Sequence, residues 1–537
     1  MTNSYIALES VAFTLSDGTP LFSQLNETFD ACPTGLVGRN GVGKSVLSKI
    51  LAGTLMPSSG SRTASGTTHY LGQHIAHQPE ATVAGLAGVQ AVIDALGRIE
   101  NGSVSGRDFE IVGDRWDIRQ RLKLELEING LGNLQASTPA HQLSGGEAMR
   151  VSLIGAWLAE ADFLVLDEPS NHLDRHCRQA LIAQLARWPG GLIAVSHDRE
   201  LLESMSRIVE LSPQGLSVYG GNYSFYAQVK AAESQNALHL LEQRKNERQR
   251  EKKKLSNQKE RLARRQSRGN RQGKVANQAK ILLGGQRQRS EASAGKLNQQ
   301  HLAVHAALDQ RVRDAAKNVE ESAAIVVHSP EVTLPSGRQI VELVDVQLPF
   351  VAKFTPPLNL MLTARQRVGV VGDNGSGKST LLKVLAGHLV PSGGRCRVIT
   401  DACWLDQHLA SLDPRRTILE QILEANRTAG EGDLRTRLAQ LGLDAHKIQI
   451  PSGLLSGGER LKAALACVLY ASPAPELLLL DEPSNHLDLP SVQALETMLH
   501  TYQGALIVVS HDEVFLDSLN LTDRLSLFPG GWRLECW

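Results

Sequence analysis

Two glycine-rich segments of this chain have residue types that could bind phosphate. GRNGVGKS runs from Gly38 to Ser45, and GDNGSGKS runs from Gly372 to Ser379. Glycines let consecutive backbone N–H groups turn inward around a phosphate, and a helix after the loop adds the positive end of its dipole. The lysine supplies a charge for the β and γ phosphates, and the serine supplies a hydroxyl for Mg²⁺. The predicted nucleotide-binding residues are Gly38, Asn40, Gly41, Gly43, Lys44 and Ser45 in the first loop and Gly372, Asn374, Gly375, Gly377, Lys378, Ser379 and Thr380 in the second.

An Asp-Glu pair follows an apolar run in each half of the chain. FLVLDEP contains Asp167 and Glu168, and LLLLDEP contains Asp481 and Glu482. The aspartates are placed to hold Mg²⁺ through water, and the glutamates are placed to polarise an attacking water. One isolated acid at a strand end could be purely structural, but the duplicated pair argues against that interpretation.

A histidine follows a second apolar run in each half, at His197 and at His511. Each is predicted to reach the γ phosphate, because the duplicated setting makes a purely structural role a poor explanation. Loops, acids and histidines together predict phosphoryl transfer to water by positioning and charge neutralisation.

The shared order of these motifs makes the chain a tandem duplication. DEPSNHLD and LSGGE each occur twice in it. Lys44 and Lys378 are 334 positions apart, whereas Ser144 and Ser456 are 312 apart, so the first copy has 22 additional residues (334 − 312). These should lie within residues 89–134, as a loop or a short helical excursion.

The elements that must position the motifs follow from the apolar patterns. In each half an apolar strand precedes the glycine-rich loop and a periodic helical stretch follows it, which predicts an α/β domain with its site at the strand ends. The segment between the halves is predicted to form a helical hairpin. It begins with a long helix rich in good helix formers, has a break or tip at glycines 269, 273, 284 and 285, and ends with a second helix. The predicted domains are residues 1–225, 226–322 and 323–537.

The predicted hairpin is strongly basic. Its first helix and tip carry Lys252, Lys253, Lys254, Lys259, Arg261, Arg264, Arg265, Arg268, Arg271, Lys274, Lys280, Arg287 and Arg289. A solvated spacer would pair acids with bases four positions apart, and here the bases run largely unopposed, which favours contact with a nucleic acid. An apolar stripe that includes Leu238, Leu241, Val304 and Leu308 is predicted to pack the two helices together as a coiled coil.

Composition excludes several classes of protein. The 537 residues are 42% hydrophobic and 21% charged with a formal net charge of zero, as in an ordinary globular protein with a segregated basic segment. The six cysteines show neither a CxxC pair nor metal-ligand spacing, which favours the reduced cytosol. Neither an apolar run of about 18 residues nor a secretory signal is present, so no direct membrane insertion is expected.

The LSGGE segments resemble the signature of the ATP-binding cassette superfamily, whose cassettes are P-loop NTPase domains that use ATP and Mg²⁺. There the signature of one cassette closes over the nucleotide of the other. The resemblance implies that Ser144, Gly145 and Gly146 face the ATP at Lys378, and that Ser456, Gly457 and Gly458 face the ATP at Lys44. Gln73 and Gln407 resemble the Q-loop residues that sense Mg²⁺ and γ phosphate. Asp174 and Asp488 resemble the D-loop aspartates.

DEPSNHLD resembles the form found in the ABC-F group, in which a long basic linker joins two cassettes. The resemblance implies a cytoplasmic factor, monomeric through pairing of its own cassettes, that enters the tRNA exit site of the ribosome. Its linker would then approach rRNA, the P-site tRNA and the peptidyl-transferase centre, to regulate translation or to give antibiotic resistance. The aromatic residue that stacks on adenine is missing from the first copy, where Leu15 aligns, and Phe350 is the candidate in the second.

The full set of hydrolytic residues in both copies predicts two active ATPase sites. One alternative is the ATPase subunit of a membrane transporter, which does not need the basic linker. A second is a binding protein that uses ATP only to hold its shape on RNA, and a third is a DNA-repair cassette protein.

Overall fold

A computed structural model describes residues 4–73, 81–171, 173–275, 304, 306–316, 337–350, 356–406, 409, 412–485, 487–528 and 531–537. The chain forms two compact units. One consists of Met1–Tyr226 and Ile325–Trp537 and holds both cassettes, and the other, Ala227–Ala324, is the linker. The finer domain limits at 225 and 322 stay a prediction.

Each cassette contains a six-stranded sheet and a three-stranded antiparallel sheet. The strands of the first cassette are β1 (Ile6–Thr14), β2 (Pro20–Phe29), β3 (Thr34–Gly38), β4 (Ser59–Ala64), β5 (Thr68–Leu71), β6 (Phe163–Asp167), β7 (Gly191–Val195), β8 (Arg207–Ser212) and β9 (Gly215–Gly220). The large sheet has the order β5-β6-β7-β3-β8-β9 and is parallel except for β9. The small sheet has the order β2-β1-β4.

The helices of the first cassette form a layer around the large sheet and a separate helical cluster. They are α1 (Lys44–Ala52), α2 (Val83–Leu86), α3 (Gln90–Glu100), α4 (Gly106–Val112), α5 (Ile118–Ile128), α6 (Gly145–Leu158), α7 (Arg175–Leu185) and α8 (Arg199–Glu203), with a 3₁₀ turn at Ala140–Gln142. One core cluster joins β1, β2 and α1 to the large sheet, and a second lies among α2, α3, α5 and α6.

The second cassette repeats this plan. Its strands are β10 (Gln339–Gln347), β11 (Leu358–Thr363), β12 (Arg367–Val371), β13 (Gly393–Val398), β14 (Ala402–Leu405), β15 (Leu477–Asp481), β16 (Ala505–Val509), β17 (Asp523–Phe528) and β18 (Gly531–Cys536). With α9 reserved for the linker, its helices are α10 (Lys378–Leu385), α11 (Ile418–Ala425), α12 (Glu431–Gln440), α13 (Gly457–Leu469), α14 (Leu489–Thr501) and α15 (Glu513–Ser518), with 3₁₀ turns at Lys447–Gln449 and Ser452–Leu454. The sheet orders are β14-β15-β16-β12-β17-β18 and β11-β10-β13.

The strands that carry the acids are buried on both faces. Every residue of β6 and of β15 is buried, as are those of the neighbouring β7 and β16. Parallel strands covered on both sides read as continuous apolar runs, which is why FLVLD and LLLLD could be recognised in the sequence.

The additional residues of the first cassette are helical. Three helices, α3, α4 and α5, lie between α2 and α6, where the second cassette has only α11 and α12 before α13. The short helix α4 is tied to α3 by an ion pair between Arg98 and Asp108 at 2.8 Å. Of the two alternatives for this insertion, the structure has the short helical excursion.

The first linker helix is longer than the sequence predicted. Helix α9 runs from Tyr223 to Val275 without a break at Gly269 or Gly273, so the predicted break at these two glycines is wrong. A single glycine costs a helix interior about 1 kcal/mol relative to alanine, and the arginines, glutamines and lysine around these two are good helix formers. Gly284 and Gly285 lie outside the described residues.

The second linker helix is described over residues 306–316 and runs antiparallel to α9. Arg248 contacts Asp309 at 3.3 Å, and Arg311 contacts Glu247 at 3.8 Å, so one residue number rises as the other falls. Leu241, Leu308 and Ala315 are buried, as members of the predicted apolar stripe should be. Leu238 and Val304 are 39% and 43% exposed and therefore do not belong to it.

The basic run is less unopposed than the sequence suggested. Lys254 pairs with Glu251 at 2.6 Å, and Arg264 pairs with Glu260 at 3.9 Å. The excess of positive charge remains, because residues 252–274 contain ten lysines and arginines and one glutamate.

Among the helices in the described part of the chain, none combines the length and apolar character needed to cross a bilayer.

Candidate functional site

Both glycine-rich loops connect a parallel strand to a helix, β3 to α1 and β12 to α10. Gly43 and Gly377 precede the helices with φ of +104° and +100°, a conformation that only glycine adopts readily. A Cβ on Gly43 would also lie 2.6 Å from Leu21. The backbone therefore turns sharply where each helix begins, which leaves the positive end of the helix dipole facing the loop.

The loop lysines are buried and folded over their own loops. Lys44 Nζ donates to Gly38 O at 2.9 Å and to Arg39 O at 3.1 Å. Lys378 Nζ makes the same two bonds, to Gly372 O and Asp373 O at 2.8 Å each. Burial lowers the pKa of both ammonium groups, so an anion such as a phosphate would stabilise their charged form.

The loop serines meet the strand-end aspartates. Ser45 Oγ donates to Asp167 Oδ1 at 3.2 Å, and Ser379 Oγ donates to Asp481 Oδ1 at 3.0 Å. Burial raises the pKa of both aspartates, which a nearby cation would offset. A hydroxyl and a carboxylate beside a phosphate loop are the oxygen ligands that Mg²⁺ prefers, so these residues fit the ion. Sequence reasoning missed Tyr70, whose hydroxyl lies 3.4 Å from Asp167 Oδ2.

The adjacent glutamates have unusual backbone and side-chain settings. Glu168 and Glu482 have φ of +53° and +49°, in the left-handed region that side chains rarely adopt. Their backbone N–H groups donate to Val195 O at 2.8 Å and Val509 O at 2.9 Å, which fixes both at the sheet edge. Burial raises the pKa of each carboxyl to about 8. Within the described residues Glu482 Oε1 is buried and has no hydrogen-bond partner.

The two histidines lie beside the glutamates. His197 Nε2 is 3.5 Å from Glu168 Oε1, and His511 Nε2 is 3.4 Å from Glu482 Oε1. Burial lowers the pKa of His197 to about 3 and that of His511 to about 4, so both imidazoles are neutral at physiological pH. His511 Nε2 also lies 3.0 Å from Asn374 Oδ1, on the second loop.

A cavity of about 420 Å³ opens at the first loop. It is lined by loop residues that include Lys44 and Ser45, by Gln73, Glu168 and His197, and by Ser484 and Asn485 of the second cassette. Leu15 lines it too, and no aromatic side chain does so among the described residues. In the second cassette Phe350 is 90% exposed, and its role as an adenine contact stays a prediction.

The aspartates after DEPSNHL connect the cassettes to each other. Asp488 Oδ2 accepts a hydrogen bond from Asn40 N of the first loop at 2.8 Å. Asp174 accepts one from the backbone of Asn374 in the second loop. Each also caps the helix it precedes, α14 and α7, so one side chain orders its own helix and touches the phosphate loop of the other cassette.

The signature serines begin helices. Ser144 and Ser456 cap α6 and α13 in capping boxes with Glu147 and Glu459. On α13, Asp488 raises the pKa of Lys462 and Arg39 of the first loop lowers it, so the second signature helix lies close enough to the first loop for their charges to interact. The signature residues do not line the described cavity, and their contact with nucleotide stays a prediction.

Some predicted residues are placed without contacts that identify a role. Thr380 follows Ser379 in α10, and Gly41, Gly145, Gly375 and Gly457 have no atom within 4 Å of where a Cβ would be. Gln407, the second predicted Q-loop residue, lies outside the described residues. Sequence reasoning also missed Arg178, which donates a hydrogen bond to the backbone oxygen of His511 across the interface. The two copies differ at this position, where the second has Val492, so a comparison of the copies could have pointed to it.

Comparison with known proteins agrees with this geometry. The model of the ABC transporter family matches residues 31–171 and 356–485. The energy-dependent translational throttle protein EttA of Mycobacterium tuberculosis is 30% identical over 517 residues, which cover 90% of this chain and 84% of that protein. ABC transporter F family member 3 of Arabidopsis thaliana is 33% identical over 398 residues, 70% of this chain and 49% of that one.

A solved structure shares the fold over nearly the whole chain. The archaeal ribosome recycling factor aABCE1, in complex with the ribosomal stalk protein aP1, superposes with a TM-score of 0.57 and 18% identity, covering 98% of this chain and 89% of that one. At this identity the likeness shows the fold alone. The family match and the tandem relatives show that the chain belongs to the ATP-binding cassette family, in its ABC-F group of paired cassettes.

Proposed function

We propose that this protein is a cytoplasmic, monomeric ATPase that binds the ribosome near the tRNA exit site. Its basic linker acts there on rRNA and the P-site tRNA, and so modulates translation or protects it from antibiotics. The observation that carries the proposal is the duplicated site, in which loop lysine, serine, aspartate, glutamate and histidine meet in each cassette and each loop contacts the D-loop aspartate of the other.

The chemistry assigned to each site is hydrolysis of ATP to ADP and phosphate. Glu168 and Glu482 accept a proton from a water whose oxygen attacks the γ phosphorus, and the bond from that phosphorus to the β-phosphate oxygen breaks. The loop lysine and the neutral histidine orient the γ phosphate. Ser45 and Asp167 in one site, and Ser379 and Asp481 in the other, would hold Mg²⁺, with Gln73 and Gln407 as further ligands, and the bound ion would supply positive charge to the phosphates.

Cassette contacts couple this chemistry to movement. Asp488 bonds to the loop that holds one nucleotide, and Asp174 bonds to the loop that holds the other, so ATP binding closes the cassettes and hydrolysis releases them. The relative EttA is described as energy-dependent and as a translational throttle, which supports the ribosome as the place of action. The linker supplies the surface for RNA, because Lys252, Lys253 and Lys254 are exposed and belong to the excess of positive charge.

The test is co-sedimentation of the Glu168→Gln, Glu482→Gln double variant with 70S ribosomes, with and without ATP, across a salt series. Loss of both general bases should lower phosphate release about 100-fold or more and hold the closed form, so pelleting should require ATP and weaken with salt. A double variant that hydrolyses ATP normally would contradict the catalytic assignment. Absence of pelleting under every nucleotide condition would remove the ribosome and favour a membrane or DNA partner.

The same assay tests the linker. In the trapped background, Lys252→Gln, Lys253→Gln and Lys254→Gln together should make the slope of log affinity against log salt shallower by about 2–3, because each phosphate contact contributes slightly less than one. The matched control removes three exposed arginines of the second cassette, Arg395, Arg397 and Arg427. An equal change in slope for both triple variants would show that total charge, rather than the linker surface, controls binding.

A further inference from the structure

Arg178 breaks the symmetry between the two cassettes. It stands four residues after Asp174, on helix α7, and its counterpart four residues after Asp488, on α14, is Val492. One cassette thus presents a cation to the interface where the other presents a small apolar side chain. DEPSNHLD itself is repeated in full, whereas the four residues after it, RHCR and LPSV, all differ, so the effect of Arg178 must be compared with that of its neighbours.

Arg178 joins the histidine loops of both cassettes. Its Nη1 donates to the backbone oxygen of His511 at 3.0 Å, across the interface. Its Nε forms an ion pair at 3.0 Å with Asp198 Oδ2, in the residue next to His197. Both side chains are largely buried, with 12% of Arg178 and 9% of Asp198 exposed. A guanidinium held by a buried carboxylate has few alternative positions, so it fixes the carbonyl that it contacts.

The first site lacks this support. The equivalent position of the second cassette is Val492, which lines the cavity at the first loop and cannot donate a hydrogen bond to His197; Arg178 lines the same cavity but donates to His511 of the other cassette. Neither ring nitrogen of His197 has a hydrogen-bond partner among the described residues, whereas His511 Nε2 lies 3.0 Å from Asn374 Oδ1. The second histidine is therefore held at its ring and at its carbonyl. The backbone bond from the histidine to the glutamate is common to both sites, from His511 to Glu482 and from His197 to Glu168.

We propose that Arg178 is a positioning residue which the first cassette contributes to the second ATP site, where it fixes His511 beside Glu482 and makes the second site the faster of the two. The inference rests on the proposed hydrolysis at both sites. Pre-organisation accelerates a step because groups aligned before the reaction need no rearrangement during it. Arg178 contacts the backbone of His511 and not its ring, and therefore acts on the second site through the loop of that histidine.

The test measures kcat and KM for ATP in the full-length protein. Second-site turnover is read in a Glu168→Gln background, first-site turnover in a Glu482→Gln background, and total turnover without either change. Arg178→Val, which copies the residue of the other cassette, should lower second-site kcat about tenfold, as expected for loss of one hydrogen bond from a charged group, and total kcat by less, because the first site still contributes. KM should change less than about twofold, and first-site kcat should fall less than second-site kcat, because Arg178 reaches the first site through Asp198 and not through a histidine carbonyl.

Two further variants separate positioning from folding. Arg178→Lys keeps the charge without the planar fork and should restore part of total turnover. Arg175→Val removes another ion pair across the interface, from the same helix one turn earlier to Glu513 at 2.7 Å, and should leave kcat unchanged. An equal fall at both sites, or the same fall in Arg175→Val, would overturn the role of Arg178. Absence of ATP hydrolysis in the unaltered protein would instead overturn the proposed function, and this inference with it.

Discussion

Glu168 and Glu482 occupy settings that cost stability. A side chain in the left-handed region costs about 1–3 kcal/mol, and a buried carboxyl resists ionisation. Both features follow from position, because each residue comes directly after a buried strand and bonds to the end of the neighbouring one. The strained turn directs the carboxyl toward the phosphate loop. A carboxyl held there can act on a bound nucleotide, whereas a carboxyl exposed to solvent could not.

The pKa shift of these two glutamates predicts a pH dependence of stability. Burial raises both pKa values to about 8 from 4.5, so the folded chain binds these protons more tightly than the unfolded chain. Their contribution to stability is full below pH about 4.5 and is lost as pH rises toward 8, at up to about 1.4 kcal/mol per site and pH unit. Glutamine cannot ionise, so the melting temperature of Glu168→Gln, Glu482→Gln should increasingly exceed that of the unaltered protein between pH 5 and 8.

The measurement is thermal unfolding at a series of pH values without nucleotide and with a chelator. Each single variant should show about half of the effect, because the two sites are separate. Melting curves of the variant and the unaltered protein that shift in parallel with pH would contradict the burial of ionisable carboxyls.

The DE pairs and loops could be located from residue types and spacing, because a phosphate site needs those types close together in the chain. The left-handed φ of Glu168, the Tyr70 hydroxyl at Asp167 and the contact of Arg178 with His511 could not. Each depends on contacts between segments that are distant in sequence, and a local sequence pattern does not show which distant residues will meet.

Helix α6, which begins at the signature, packs directly on helix α7, which begins at the D-loop aspartate. A Cβ on Gly146 would lie 2.7 Å from Cys177 Sγ, and one on Gly458 would lie 2.6 Å from Ser491 Oγ. Only glycine allows this approach. The helix that begins at the signature and the helix that begins at the D-loop aspartate are thus in direct contact within one cassette.

Alanine at two neighbouring glycines tests this packing. Gly146→Ala should destabilise the protein by about 1–3 kcal/mol, because the added methyl group forces α6 and α7 apart. Gly145→Ala is the matched control, since nothing lies within 4 Å of its Cβ position. Urea unfolding followed by tryptophan fluorescence gives both values. Because alanine has the higher helix propensity, helix propensity alone predicts a gain for both variants, and equal losses for the two would contradict the packing of Gly146 on Cys177 as the cause.

The linker shows what local sequence predicts at the scale of elements. Helix formers correctly predicted a long helix, and the antiparallel pairing followed from it. The break predicted at Gly269 and Gly273 is wrong because the good helix formers around an isolated glycine outweigh its cost of about 1 kcal/mol to the helix. Leu238 and Val304 are exposed although they stand at heptad spacing, so spacing alone did not predict burial at these two positions.

At the scale of the whole molecule, polar side chains and backbone groups of the first cassette contact those of the second. Asn40 donates to Asp488, Arg178 reaches His511, and Arg199 Nη1 donates to Glu496 Oε1 at 2.7 Å. The last pair is well buried, with 8% and 14% of the side chains exposed. The family resemblance implied that the cassettes would pair. The contact of Asn40 with Asp488 has its counterpart in Asn374 and Asp174, whereas the contacts of Arg178 and Arg199 belong to one copy only, and the structure was needed to show them.

The Arg199–Glu496 pair gives a quantitative test of this interface. Arg199→Met or Glu496→Met alone leaves a buried charge without its partner, which should cost about 3–5 kcal/mol, whereas Arg199→Met, Glu496→Met together should cost less than either. The coupling energy comes from a double-mutant cycle measured by urea unfolding.

The exposed pair Arg175–Glu513 is the reference for that cycle. Its side chains are 53% and 35% exposed, and its coupling should be only about 0.2–1 kcal/mol because water screens it. A large coupling energy for Arg199–Glu496, together with a small one for Arg175–Glu513, would mean that burial makes the contact between the cassettes specific. Replacing only one residue of the buried pair would then destabilise the protein. Additive losses at Arg199 and Glu496 would mean instead that neither charge depends on its partner, and would leave the D-loop contacts to hold the cassettes together.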